Sequence, residues 1–360
     1  CMFTLMLMEP PKPKFTWKTV LFPLIGLLGF FLYIYFFQVD IIGIIDTAKT
    51  ANPIIFGVAL LCGLIEVLFY TLSWRTLTNH LNIKISVKKA FLYVWYGLYV
   101  DILLPAESIS GEVTRAYLIT RDKCSTFGKA IASLFTHRLL GMTLNVIVIV
   151  LGVVLLPFEG FSSLEMFNLI VLIAVAIAAL TIAMTILSFK KTWTLRVIDW
   201  VVNLAQRVSR GKWNLDNFKV KAMESTTHFH DSMLLYKQNK KPLFLSFFYM
   251  SLTWLFSLSI PYIVFLSLGH TVSLSIILVT AAIVLAVKSI PVGIPFEIGL
   301  PEATMTTLYI AMGINPALAA TATILTRIIT LWFRFLVGFV AQQYLELKPY
   351  AVNSLGNGKN

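Results

Sequence analysis

The stretches 19–37, 53–73, 131–156, 166–188, 243–267 and 315–343 are each predominantly apolar for nineteen residues or more. About 20 such residues, rising 1.5 Å each, cross the roughly 30 Å hydrocarbon layer of a bilayer. No other property of the sequence restricts its folding so strongly. In hydrocarbon every backbone N–H and C=O must find a partner within the protein, so spans of this length are helices. Composition agrees: 58% of the 360 residues are hydrophobic and only 13% are charged, against roughly 25% charged in a soluble domain. The sequence therefore predicts an integral membrane protein. The opening run "TVLFPLIGLLGFFLYIYFF" is long enough to remain as an anchor instead of being cleaved as a signal peptide.

Charge sets the expected orientation. Residues 189–242 hold 11 Lys/Arg against 4 Asp/Glu, leaving 18 against 13 elsewhere (29 less 11, 17 less 4). A basic segment beside apolar spans marks the cytoplasmic side, not a nucleic-acid site. The N-terminal tail and loop 75–90 are basic, whereas loops 38–52 and 157–165 carry Asp40, Asp46, Glu159 and Glu165. The former belong inside and the latter outside. This holds only if the shorter run 89–104 enters from the cytoplasmic side and turns back as a re-entrant half-helix. The run 273–290 is its counterpart, entering from outside.

Both short runs end in an unusual motif. "PAESISGE", Pro105 to Glu112, and "PFEIGLPE", Pro295 to Glu302, each place a glutamate two residues after proline and another five residues later. An alanine-rich span follows each. Arg138 lies 26 residues after Glu112, and Arg327 lies 25 after Glu302. Seven residues further on, two turns along the same face of a regular helix, come Asn145 and Arg334. Extending the match pairs 53–73 with 243–267 and 19–37 with 166–188. Each half has three crossings, an odd number, so the halves enter with opposite polarity. The expected fold is all-α and polytopic: about six full spans plus two re-entrant half-helix hairpins in an inverted-topology repeat, an architecture of secondary transporters.

The expected organisation is a cytoplasmic basic tail (1–18), a first membrane repeat (19–156), an external loop (157–165) and the first span of the second repeat (166–188). A basic cytoplasmic linker (189–242), the remainder of the second repeat (243–345) and a tail (346–360) follow. Within the linker, Val197, Val201, Leu204 and Val208 share one helical face beside Arg196, Arg207 and Arg210. That pattern predicts an amphipathic helix on the membrane surface.

A carboxylate at bilayer depth costs roughly 2.5–3.5 kcal/mol on insertion scales. Glu107, Glu112, Glu297 and Glu302 should therefore face an enclosed polar chamber, where broken helices are also tolerated. Arg138 and Arg327 lie about three turns into their spans and need partners. Two readings stand: the Arg–Glu pairs tie each hairpin to its helix, or the guanidinium forks hold phosphate. Arg115, Arg334, Asp101 and Lys288 complete the candidate substrate-binding set. His137 reads as a packed histidine. "HFHD", His228 to Asp231, is an isolated pair in a basic loop, and Cys62 and Cys124 suggest no disulfide or metal framework. No metal and no cofactor is expected, and no HExxH, P-loop or GxSxG motif stands in a suitable setting.

These same residues carry a resemblance. "SISGEVTRAYLI", "AIASLFTHRLLGM", "PFEIGLPEATMTTLYIAMGINPALAATATILTRII" and the pair Trp74-Arg75 resemble the lysylphosphatidylglycerol synthase transmembrane region, also described as a flippase-like membrane domain. The likeness runs from about residue 19 to 345. "SISGE" stands where the family often has a glycine-richer "PGGxGE"-like stretch, and Pro301 is expected to shorten the helix at Glu302. In the multiple peptide resistance factors this domain is attached to a soluble aminoacyl-transferase and is thought to flip aminoacylated phosphatidylglycerol. The soluble segments here are too small for a transferase, so the resemblance implies the stand-alone form without synthase activity.

The resulting expectation is a flippase or transporter in the plasma membrane, moving a phospholipid or polyprenyl-linked glycan between leaflets. Its partners would be lipids with anionic or polyprenyl phosphate headgroups, not nucleic acid, with a homodimer left open. The alternatives are an intramembrane lipid-modifying enzyme using the glutamates as acid and base, or a non-catalytic scaffold.

Overall fold

In a computed structural model, residues 46–103, 109–159, 163–189, 238–288 and 299–356 are described, with positions 192, 195–196, 199–200, 226 and 229–236 of the intervening segment. The expected span at 19–37, Glu107 and Glu297, and most of the amphipathic linker helix lie outside these residues.

The described chain is helical and contains five helices long and apolar enough to cross a membrane: Pro53–His80, Phe127–Phe158, Leu164–Ile186, Lys241–Ser267 and Pro316–Glu346. They coincide with five of the six expected spans, and the protein is an all-α polytopic membrane protein. In chain order the elements are α1 (Pro53–His80), α2 (Val87–Leu103), α3 (Ile109–Arg121), α4 (Phe127–Leu155), a 3-10 turn (Leu156–Glu159) and α5 (Leu164–Phe189). Then come α6 (Lys241–Ser267), α7 (Leu274–Lys288), α8 (Leu300–Ala311) and α9 (Pro316–Arg327). A π-helical segment (Ile328–Phe333) joins α9 to α10 (Arg334–Gly356).

Local sequence starts these helices. Asn52 caps α1 by accepting from the N–H groups of Ile54 and Ile55 at 3.0 and 3.3 Å, with Pro53 in the first turn. Asn315 and Pro316 do the same for α9. A side-chain acceptor satisfies orphan donors, and proline has no donor to lose there. The expectation that Pro301 would shorten its helix is corrected for the same reason. It lies in the first turn of α8, which at 12 residues nearly matches the 13 of α3.

The two halves meet along α1 and α6, which run antiparallel. Asn52 N–H donates to Ser267 O at 2.7 Å at one end. Toward the other end the Ser73 hydroxyl donates to Ser246 O at 2.9 Å, and the Ser246 hydroxyl returns a bond to Ser73 O at 3.0 Å. Apolar burial gives little drive between helices in lipid, so small residues and such hydrogen bonds, about 1 kcal/mol each, hold the contact.

The packing elsewhere is mirrored between halves. α2 packs on α3 and α3 on α4, as α7 packs on α8 and α8 on α9. Each short helix then crosses to the other half: α2 lies along α10, and α7 lies along α4. Glycines admit this approach. A Cβ on Gly338 would come within 2.7 Å of Trp95 O, and one on Gly152 within 2.8 Å of Val279 Cγ2.

The pair α2–α3 forms a hairpin whose two ends return to one side. Asp101 near the tip bonds Gly111, and Tyr93 farther back bonds Asp122. At the open end, Lys89 pairs with Asp122 at 2.6 Å, and Arg121 pairs with Glu346 of α10 at 2.9 Å. The corresponding packing of α7, α8 and the end of α4 is apolar, with Leu278, Met312 and Leu156 in one cluster. Tyr236 of the linker bonds Leu77 O at 3.0 Å near the end of α1. The basic loop after α1, the C-terminal end of the linker at Tyr236 and the end of α10 therefore lie on one side.

Candidate functional site

Helix rise places the ionic groups at mid-depth. Glu112 and Asp122 are ten residues apart, about 15 Å along a helix, or half the hydrocarbon thickness. Glu302 stands equally far from Met312. Arg138 and Arg327 are each eleven residues into their spans, roughly 16 Å, and Glu66 lies near the middle of the 28-residue α1.

In the first half, Asp101 closes α2 and caps α3. Its carboxylate accepts from the Ser110 hydroxyl at 2.8 Å and from the Gly111 N–H at 2.6 Å. A Cβ on Gly111 would lie 2.2 Å from the Asp101 carboxylate, so the glycine of "SISGE" is required by this contact. Glu112, the following residue in the first turn of α3, faces Arg138 Nη1 at 3.4 Å, both side chains about one-fifth exposed.

In the second half the equivalent pair is tighter. Glu302 accepts from Arg327 Nε at 2.6 Å, with side-chain exposures of 5% and 6%. Its other oxygen accepts the Gly299 N–H at 2.7 Å. Gly299 has φ +101°, a conformation that side-chain-bearing residues rarely adopt. Both expected hairpin-to-span pairs thus exist. Breaking a buried pair by removing one partner costs about 3–5 kcal/mol, because an uncompensated charge remains.

Arg334 departs from its expected place. The π segment after Arg327 adds a residue to the turn, so Arg334 is rotated off the face that Arg327 occupies. It pairs instead with Glu66 on α1, tying the last helix of one half to the central helix of the other. Glu66 is absent from the sequence-derived set, although a lone carboxylate within "LLCGLIEVLFY" is itself a signal. Asn145, seven residues after Arg138, donates to Ala282 O of α7 at 3.5 Å, and its Oδ1 has no partner. Lys288 closes α7, as Asp101 closes α2.

Arg115 and His137 are both buried, at 4% and 2% exposure. The Arg115 guanidinium lies 5.5 Å from the Tyr70 ring centre and 5.2 Å from that of Trp74, and it donates to the Tyr70 hydroxyl at 3.3 Å. His137 packs against the edge of the same Tyr70 ring at 4.4 Å.

Among the described residues no group of three or more His, Cys, Asp or Glu could hold a metal. His230 packs on Phe229, and His228 lies outside the described residues.

Comparison with known proteins places this arrangement. A UPF0104 membrane protein of Pyrococcus horikoshii is 26% identical over 284 residues, 78% of this chain and 84% of its own. UPF0104 membrane proteins of Methanothermobacter thermautotrophicus and Methanocaldococcus jannaschii are each 22% identical. They cover 83% and 84% of this chain and 88% of their own lengths. The Lysylphosphatidylglycerol synthase TM region matches residues 21–338, a range that contains both hairpins, the span after the first, most of the span after the second and the α1–α6 contact, and the chain belongs to that family.

Proposed function

We propose that this protein moves a phosphate-bearing lipid, a phospholipid or polyprenyl-linked glycan, between the leaflets of a cytoplasmic membrane. One observation carries the reading: two hairpins, packed in a mirrored arrangement, each bring a carboxylate–guanidinium pair to mid-depth. Charges so placed are costly and mark substrate pathways, and paired broken helices at the midplane are where secondary transporters bind. The headgroup travels along the ionic groups while its chains remain in lipid. The partly exposed Glu112–Arg138 pair is the entry point, because substrate reaches it without displacing packed helices. Glu302–Arg327 is the closed counterpart. The basic end, holding Lys89, Arg121 and the linker, faces the cytoplasm under the positive-inside rule.

The test is lipid exchange in vesicles containing the purified protein, with fluorescent phosphatidylglycerol and polyprenyl phosphate in separate preparations. Exchange above protein-free vesicles, slowed in Arg138→Met, is expected. Background rates for every lipid class tried would sink the proposal.

A further inference from the structure

Four arginines sit in the membrane core among the described residues, and three have a carboxylate: Arg138 with Glu112, Arg327 with Glu302, Arg334 with Glu66. Among the described residues Arg115 has no carboxylate within 4 Å. Glu112, one turn back on α3, is engaged by Arg138. The Arg115 Nη2 and Nε atoms donate to the Tyr70 hydroxyl and Gly111 O, at 3.3 and 3.4 Å, but Nη1 has no partner. The His137 Nε2, which shares Tyr70 as a neighbour, is likewise buried without a partner. A buried guanidinium with an unused donor is unfavourable for the empty protein.

The repeat provides an internal comparison. Met305 follows Glu302 by three residues, as Arg115 follows Glu112. Met305 sits in an apolar cluster with Ile260 and Val264 of α6, where Arg115 meets Tyr70 and Trp74 of α1. The fold thus fills this position with hydrocarbon in one half and a cation in the other. Packing does not require the charge.

We propose that Arg115 Nη1 and the hydroxyl of Tyr70, to which the same guanidinium is bonded, form an anion subsite for a phosphate group, present in the first half only. Arg115 supplies the charge. Tyr70 accepts from Arg115 and keeps its own proton to donate. Trp74 and Tyr70 cover the guanidinium faces and keep water away. The subsite deepens the transport reading by naming where the headgroup phosphate rests, and it shifts that role from the already paired Arg138 and Arg327 to Arg115.

The test is titration of the full chain in detergent with dioctanoyl phosphatidylglycerol, with dioctanoylglycerol and inorganic phosphate as separate arms. Arg115→Met copies the second half and preserves packing. Wild type is expected to prefer phosphatidylglycerol over dioctanoylglycerol, and Arg115→Met to lose that preference by about tenfold or more, the effect of one charge-assisted hydrogen bond. Competition by millimolar inorganic phosphate identifies free phosphate as a ligand, and its failure to compete identifies the lipid headgroup; either supports the subsite. A folded Arg115→Met with undiminished preference overturns it. If Arg115→Met does not fold, Tyr70→Phe decides: it should weaken binding several-fold, and unchanged binding overturns the proposal. Binding that depends on Arg115 alongside background lipid exchange would remove the transport reading and leave the subsite standing.

Discussion

Arg327 donates to Glu302 at 2.6 Å with both side chains almost fully buried, whereas Arg138 stands 3.4 Å from the more exposed Glu112. The two pairs occupy equivalent places in the two halves but differ in environment. Burial decides how much each contributes, since water screens the Glu112–Arg138 pair and not the Glu302–Arg327 pair.

Arg327→Gln or Glu302→Gln should each destabilise the protein by about 3–5 kcal/mol. The double variant Glu302→Leu/Arg327→Met should recover most of that loss, because no lone charge remains. Arg138→Gln should cost less than half as much. Thermal unfolding in detergent, analysed as a double-mutant cycle, checks all of these.

Glu66 and Arg334 connect helices from opposite halves. Arg334→Leu leaves Glu66 buried without its partner, so it should lower the unfolding temperature and weaken the association of the halves. The exchange Glu66→Arg/Arg334→Glu should restore part of the stability. Limited proteolysis of the linker, followed by a test of whether the two fragments stay together, measures the association directly.

Ser73 and Ser246 have hydroxyl oxygens 2.9 Å apart. The pair Ser73→Cys/Ser246→Cys, with Cys1, Cys62 and Cys124 replaced by serine, should cross-link readily under mild oxidation. Moving the second cysteine to Ser259, farther along α6, should abolish the link. Fragment mobility after linker cleavage reads the result, and a link from position 259 would contradict the antiparallel packing.

Asp122 ties α2 to α3 outside the membrane core. Partial burial raises its pKa, but hydrogen bonds from Lys89 and Tyr93 and the charges of Lys89 and Arg121 outweigh this and lower it below the usual value. A depressed carboxylate pKa contributes stability that is fully present above the unfolded value, about 3.9. That contribution is lost as pH falls through the folded value. Unfolding temperature should therefore drop below about pH 4 in wild type, and Asp122→Asn should flatten that drop while lowering stability at pH 7.

The spans and hairpins were legible because hydropathy and proline are local signals. A run of apolar residues long enough to cross lipid has few other stable conformations, and the equal glutamate spacings in two motifs exposed the repeat before any contact was known. The same regularity pointed to a hairpin glutamate as the partner of Arg138 and of Arg327 without saying which, and the contacts select Glu112 and Glu302. Glu66 was harder to place because its partner lies 268 residues away.

The sequence by itself determined that the chain is a bundle of membrane helices in two related halves, and most but not all of the residues that put charge in the middle of it, since Glu66 escaped that reading. Only the tertiary structure decided the partners: the π segment turns Arg334 toward Glu66, and Arg115 lands beside the Tyr70 and Trp74 rings with no carboxylate of the described residues in contact. Hydropathy depends on composition along the chain, whereas an ion pair depends on the rotation and register of two packed helices, which residues far apart in sequence set together.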